Sequence, residues 1–324
     1  MGEFDLIARY FTRSVRRAAL GVGDDCALLA PAPGMQLAVS SDMLVEGRHF
    51  FADVDPEALG HKALAVNLSD LAACGARPLA FTLALSLPRV DEAWLAGFAG
   101  GLLALADAHG CELVGGDTTQ GPLNICITVF GEVPAGQALL RSGARPGDDL
   151  YVSGTLGDAR LALEALLGHV TLPADVLGRA RQRLERPTPR VALGEQLRGV
   201  ASSAMDLSDG LLGDVSHILK ASGAGARIDV DVASNLIAAS ACLSSARGNL
   251  DDDLIRQCTL AGGDDYELAF TAPPTRRDAV AAAAQASGTP VTCIGTVLAE
   301  PGLQLVDARG QAVESRYASF DHFR

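Results

Sequence analysis

The chain has 324 residues, 48% of them hydrophobic and 20% charged, with a formal net charge of −13. That composition can bury a large core, favours two domains over one and excludes a disordered chain. The acidic balance argues against sequence-independent nucleic-acid binding or docking on an anionic membrane, because both need a basic face.

No charged segment followed by an apolar one opens the sequence, and no apolar run reaches the roughly 18 residues that a membrane span requires, so the expectation is a cytoplasmic protein. Seven cysteines, an odd number with no C-x-x-C pair, read as reduced and mostly core residues.

In chain order, Leu37 to Ser40, Ala80 to Ser86, Glu112 to Val114 and Asn124 to Glu132 are expected as strands, and Pro56 to Ala73 and Asp91 to His109 carry helical periodicity. A turn-rich join, Arg141-Ser142-Gly143-Ala144-Arg145-Pro146-Gly147-Asp148, precedes a new strand at Leu150 to Ser153. It places the domain boundary near 140, giving segments 1–140 and 141–324. The second half repeats the style. Helices are expected near Asp158 to Leu167, Ala174 to Arg183, Arg190 to Leu197, Gly210 to Ala221 and Thr275 to Ala286, with strands near Ala204, Arg227, Glu267, Val291 and Leu303. The fold class is α/β of the α+β type, two mixed α/β domains.

Aspartates gather in short clusters beside glycine or serine: Gly23-Asp24-Asp25, Ser40-Ser41-Asp42, Asn67-Leu68-Ser69-Asp70, Gly115-Gly116-Asp117, Asp206-Leu207-Ser208-Asp209 and Gly262-Gly263-Asp264-Asp265. Val39 to Asp42, Val114 to Asp117 and Ala204 to Asp206 are expected to end strands, where α/β proteins bind ligands. One Asp-Gly pair is most simply a turn; this many on one chain point to a site. Neighbouring carboxylates repel unless protonated, paired or metal-bound, and only two lysines, Lys62 and Lys220, occur. An all-oxygen Asp/Ser set suits Mg²⁺, which shares its coordination shell with water and phosphates. Neither G-x-x-x-x-G-K-[ST], nor G-x-G-x-x-G, nor the protein-kinase motifs are present, so charge on a phosphate must be met by several Mg²⁺ ions with an arginine. Gly154-Thr155-Leu156-Gly157 reads equally as a phosphate cradle or a tight strand-helix turn.

The ordered motifs resemble those of the thiamine-monophosphate kinases, in the superfamily of aminoimidazole ribonucleotide synthetase and selenophosphate synthetase. They are Gly21-Val22-Gly23-Asp24-Asp25-Cys26-Ala27, Ser41-Asp42-Met43-Leu44-Val45-Glu46-Gly47-Arg48-His49-Phe50, Asn67-Leu68-Ser69-Asp70-Leu71-Ala72-Ala73, Gly115-Gly116-Asp117-Thr118-Thr119, the 141–148 join, Asp206-Leu207-Ser208-Asp209-Gly210-Leu211 and Gly262-Gly263-Asp264-Asp265-Tyr266-Glu267-Leu268. The resemblance implies the aminoimidazole ribonucleotide synthetase-like fold and ATP-dependent conversion of thiamine monophosphate to thiamine diphosphate. It also implies a homodimer joined through the N-terminal domains, with the C-terminal domain completing the active site. By the same resemblance Asp25, Ser40, Ser41, Asp42, Asp70, Asp117, Asp206 and Asp209 hold magnesium, with Asp42, Asp70 and Asp209 central to catalysis. Gly116, Asp117, Arg141 and Ser208 match nucleotide-binding positions, and His49, Asp264 and Phe320 match positions that touch thiamine phosphate. Many relatives have Glu where this chain has Asp264. Asp24 is expected to serve the turn beside Asp25. Two other readings are another ATP-dependent synthetase of the superfamily and a cation-binding module without turnover.

Overall fold

The computed structural model describes residues 2–238, 251–314, 316 and 317. The chain divides into two compact units, Met1–Leu71 with Ala76–Ala138, and Ala72–Gly75 with Leu139–Arg324.

The first unit opens with a short helical stretch, α1 (Glu3–Leu6), that runs into a wider turn over Ile7–Phe11. It is built on four strands, β1 (Met35–Val45), β2 (Arg77–Leu87), β3 (Glu112–Gln120) and β4 (Asn124–Pro134), in the order β1-β4-β2-β3. β4 runs antiparallel to β1 and β2, while β2 and β3 are parallel. The parallel pair is joined through α3 (Glu92–His109), as a crossover requires. Asp91 caps that helix by accepting the Trp94 N–H, and Gly110 closes it in the left-handed conformation. Helix α2 (Pro56–Ala73) is buried on nearly every face from Lys62 to Ser69, so its polar side chains sit inside the unit. Leu71 of α2 packs over Gly131 of β4.

Two strands outrun the expectation. β1 continues to Val45 and β3 to Gln120, so Ser40-Ser41-Asp42 and Gly115-Gly116-Asp117 lie within strands rather than at their ends. Register explains this: β1 pairs with β4 without interruption from Met35 to Val45, and hydrogen bonding along the ladder overrides the weak strand preference of Asp and Gly. The 67–70 cluster lies inside α2.

The second unit holds β5 (Asp149–Ser153), β6 (Ser203–Leu207), β7 (Gly225–Asp229), β8 (Glu267–Ala272), β9 (Val291–Leu298) and β10 (Gly302–Val306), in the order β10-β7-β9-β5-β8-β6. Among its described strands, only β10 and β7 are parallel neighbours. The helices are α4 (Asp158–Leu166), α5 (Ala174–Glu185), α6 (Val191–Leu197), α7 (Leu211–Ser222), α8 (Val230–Ser234), α9 (Asp252–Ala261) and α10 (Arg277–Ser287). α7 turns Leu211, Val215, Ile218 and Leu219 into a core shared with Leu150, Val152, Met205 and Ala269 of the sheet. α8 and α9 have no counterpart in the sequence reading. Both begin at an aspartate that caps the first turn, Asp229 and Asp251.

Candidate active site

In the first unit the β1 pleat decides which side chains meet. Ser40, Asp42 and Leu44 share one face, and the Ser40 hydroxyl donates to the Asp70 carboxylate on α2. The Asp42 N–H, on this edge strand, donates to Oδ1 of Asn67 at 3.1 Å, while Asn67 Nδ2 donates to the Ala63 carbonyl at 3.0 Å. Asn67 is thus a buried bracket holding the strand to the helix, a role that its place in the motif did not reveal. Ser41 faces the other way, with its hydroxyl 3.1 Å from the Ile127 carbonyl and 3.0 Å from Thr128 Oγ1, so the structure does not bring it to Ser40 and Asp42.

Asp117 stands on β3 at the opposite edge of the sheet from Asp42, three strand spacings or roughly 14 Å away. A cavity of about 780 Å³ brings Asp117 together with Asp25 and with Gly23, Gly115 and Gly116, against an apolar wall that includes Phe4, Ile7 and Phe11. Gly116 has φ +146°, and a Cβ there would lie 1.8 Å from the Leu83 carbonyl oxygen, so no other residue fits. Asp24 accepts the Asp25 N–H at 2.8 Å, as a turn residue would.

His49 closes the tight turn after β1. Its Nδ1 accepts the Val45 N–H at 3.0 Å, which leaves the proton of the neutral ring on Nε2. Nζ of buried Lys62 lies 3.4 Å from the His49 carbonyl.

In the second unit Asp206 lies buried in β6, one residue before its end, and Ser208-Asp209-Gly210 turns into α7. Asp214, in the first turn of α7, accepts the N–H groups of Ser208, Asp209 and Gly210 at 3.0, 3.1 and 3.0 Å. Burial drives the Asp214 pKa up to about 7, with the Asp209 charge adding to it and the three N–H groups opposing. The 262–266 loop is laced to the same turn. The Asp264 N–H donates to the Ser208 carbonyl and the Tyr266 N–H to the Leu207 carbonyl, both at 2.8 Å. Asp264 and Tyr266 hold φ of 66° and 50°, a strained conformation that the surrounding bonds enforce. Asp265 turns inward and accepts the Gly157 N–H with both oxygens, at 2.9 and 3.0 Å, and burial pushes its pKa well above the usual range. The start of α4 is therefore occupied by a carboxylate, so Gly154 to Gly157 is a strand-helix turn rather than a phosphate cradle. Glu267 is fully buried between Arg183 and Arg190.

Arg141 is exposed ahead of β5, its carbonyl accepting the Ser222 hydroxyl. Phe320 lies outside the described residues. Sequence reasoning missed Asp214 and placed Asp265 in an acidic cluster without reading its inward turn; the available signal for Asp214 was an acidic residue in the first turn of a helix that follows a glycine.

Among the described residues, no group of three or more His, Cys, Asp or Glu side chains is gathered closely enough to hold an ion unaided. Magnesium bound through one or two carboxylates, waters and substrate phosphates needs no such cage. Asp25 and Asp117 fit that mode: both are exposed at the cavity, and neither carboxylate has a partner among the described residues.

Two family models match the chain: AIR synthase related protein, N-terminal domain, over residues 23–133, and AIR synthase related protein, C-terminal domain, over residues 145–308. The chain belongs to this family of two-domain α/β enzymes. Thiamine-monophosphate kinase of Salmonella typhimurium is 48% identical over 328 residues, covering 99% of this chain and 98% of the relative. The Escherichia coli K12 enzyme of the same name is 47% identical over 330 residues, with the same shares covered. A crystal structure of thiamine-monophosphate kinase from Stenotrophomonas maltophilia superposes with a TM-score of 0.83 at 44% identity, covering 96% of each chain. The structure of AaThiL complexed with AMPPCP and TMP gives a TM-score of 0.77 at 30% identity, covering 91% of this chain and 89% of that one. Within the AIR synthase related family, the chain is a member of the thiamine-monophosphate kinases, and it is a phosphotransferase. A cation-binding module without turnover is thereby set aside.

Proposed function

We propose that the chain transfers the γ-phosphoryl group of ATP to the phosphate of thiamine monophosphate, releasing ADP and thiamine diphosphate. The observation that carries this reading is the cavity at which Asp25 and Asp117 present carboxylates with no partner among the described residues, beside the Gly115-Gly116 backbone. A phosphate chain there gains both cation-mediated neutralisation and close backbone approach. The kinases that this chain resembles over nearly their whole length, and the relative complexed with AMPPCP and TMP, support the assignment.

Asp25, Asp42, Asp70, Asp117, Asp206 and Asp209, with Ser40, are the residues that would hold magnesium; bound there, the ions would neutralise charge that otherwise keeps two phosphates apart. The chain's own side chains orient the reactants. A phosphate oxygen is already a nucleophile, so no general base is needed, and transfer depends on alignment. Gly116 offers its main chain to the nucleotide phosphates, and Arg141 and Ser208 serve the nucleotide. His49, Asp264 and Phe320 contact the acceptor. Ser41 stays outside the side-chain ligand set, because its hydroxyl faces Thr128.

The same reading makes the protein a cytoplasmic homodimer. Edge strand β1 exposes Leu37, Val39 and Met43 in a row on one face, an apolar surface that a second copy would cover. The six cysteines described are all free, as in a reducing compartment, and no helix among the described residues is long and apolar enough to cross a membrane. A coupled ADP-release assay with thiamine monophosphate against thiamine tests the function, and equal turnover of the two contradicts it.

A further inference from the structure

We infer that Asp214, which is neither a metal ligand nor a substrate contact in this reading, is the positioning residue for the second unit's catalytic turn. One oxygen, Oδ2, collects three successive N–H groups, those of Ser208, Asp209 and Gly210, within 3.1 Å. Three consecutive amides converging on one acceptor force the backbone into a tight concave turn, and the side chains of Ser208 and Asp209 are then directed by that curvature. The neighbouring loop packs closely against the same turn. Gly210 sits at φ +124° against the Ala261 backbone, and a Cβ on Gly263 would come within 2.4 Å of the Ser208 carbonyl oxygen. That carbonyl is itself held by the Asp264 N–H at 2.8 Å. Asp214 is 2% exposed and rides on α7, whose apolar face is locked into the core, so the acceptor is fixed by the body of the unit rather than by the loop. Removing it leaves three amides unsatisfied and lets Asp209 swing.

This inference rests on the assignment of Ser208 and Asp209 to the phosphate and metal chemistry. It calls for a readout apart from turnover, namely binding of Mn²⁺ in the presence of AMPPCP, followed by electron paramagnetic resonance. Asp214→Ala should weaken Mn²⁺ binding at least about tenfold and lower kcat at least about hundredfold, with KM for thiamine monophosphate changed less than about threefold. Asp214→Asn, whose amide oxygen can still accept the N–H groups, should recover to within about fivefold of the parent in both readouts. Asp149→Ala breaks an ion pair between buried Asp149 and exposed Arg277, elsewhere in the unit, and serves as the control for lost stability. If Asp214→Ala and Asp149→Ala lower kcat in step with their melting temperatures and leave Mn²⁺ binding alone, the role is structural and the inference fails. If Asp214→Ala does not fold, Asp214→Asn decides: near-parent Mn²⁺ binding and kcat support the clamp, and a loss as deep as that of Asp209→Asn overturns it. A parent protein that binds no Mn²⁺ with AMPPCP refutes the metal assignment itself, a separate outcome.

Discussion

The Ser40 hydroxyl donates to the Asp70 carboxylate, joining an exposed edge strand to a buried helix 30 residues further along the chain. Asn67, one helical turn before Asp70, makes the second tie by accepting the Asp42 N–H. The strand and the helix therefore present Asp42 and Asp70 as one rigid pair.

Asp42→Asn and Asp70→Asn should each lower kcat by at least about hundredfold with unchanged circular dichroism, because each removes a charge from the proposed magnesium-binding set. Asp24→Asn should stay within about fivefold of the parent, since Asp24 serves the turn. Steady-state kinetics at saturating magnesium check both.

Gly116→Ala should cost about 3 kcal/mol or more of stability and abolish AMPPCP binding, because the new Cβ would overlap the Leu83 carbonyl in a backbone region closed to alanine. Urea unfolding and calorimetric titration read the two effects separately.

Much of this was legible in the sequence. Every element expected in chain order is present, because apolar periodicity and glycine breaks are local signals: Pro56–Ala73 was bounded correctly by its proline start, and Asp91 by its capping chemistry. Strand ends were not legible. Ser40-Ser41-Asp42 has low strand preference, and only pairing with β4, some 85 residues away in sequence, extends β1 through it. The aspartate clusters announced a site, but which of them meet depended on pleat and strand order: Ser41 points away from Ser40, and Asp117 joins Asp25 rather than Asp42. Buried acids such as Asp214 look like ordinary helix-start residues until the turn they hold is seen.

Glu132 gives a pH prediction. Burial raises its pKa, but the hydrogen bond from Arg77, the Ala32 N–H and the charge of Arg17 outweigh that and leave it lowered. A carboxyl with a lower pKa folded than unfolded adds stability above the unfolded value of about 4.3, and that stability is lost as pH falls through the folded value. Glu132→Gln should therefore destabilise by about 2 to 4 kcal/mol at pH 7, with the gap to the parent narrowing below about pH 4.3. Urea midpoints from pH 7 to pH 3.5 give the comparison. A gap that widens on acidification contradicts the ion-pair account.

Val39→Arg combined with Met43→Arg should convert a dimer to a monomer without unfolding it, since both side chains are about half exposed on the outer face of β1, at 56% and 52%. Light scattering coupled to size exclusion measures the mass. A parent that is already monomeric removes the reason for the apolar row.

The central claim is the reaction itself, and product identification tests it most directly. Purified protein with Mg²⁺ and ATP should convert thiamine monophosphate to thiamine diphosphate with one ADP released per product, read by chromatography and phosphorus NMR, and should leave thiamine largely untouched. Formation of ADP without thiamine diphosphate, or phosphorylation of thiamine at a comparable rate, would contradict the assignment.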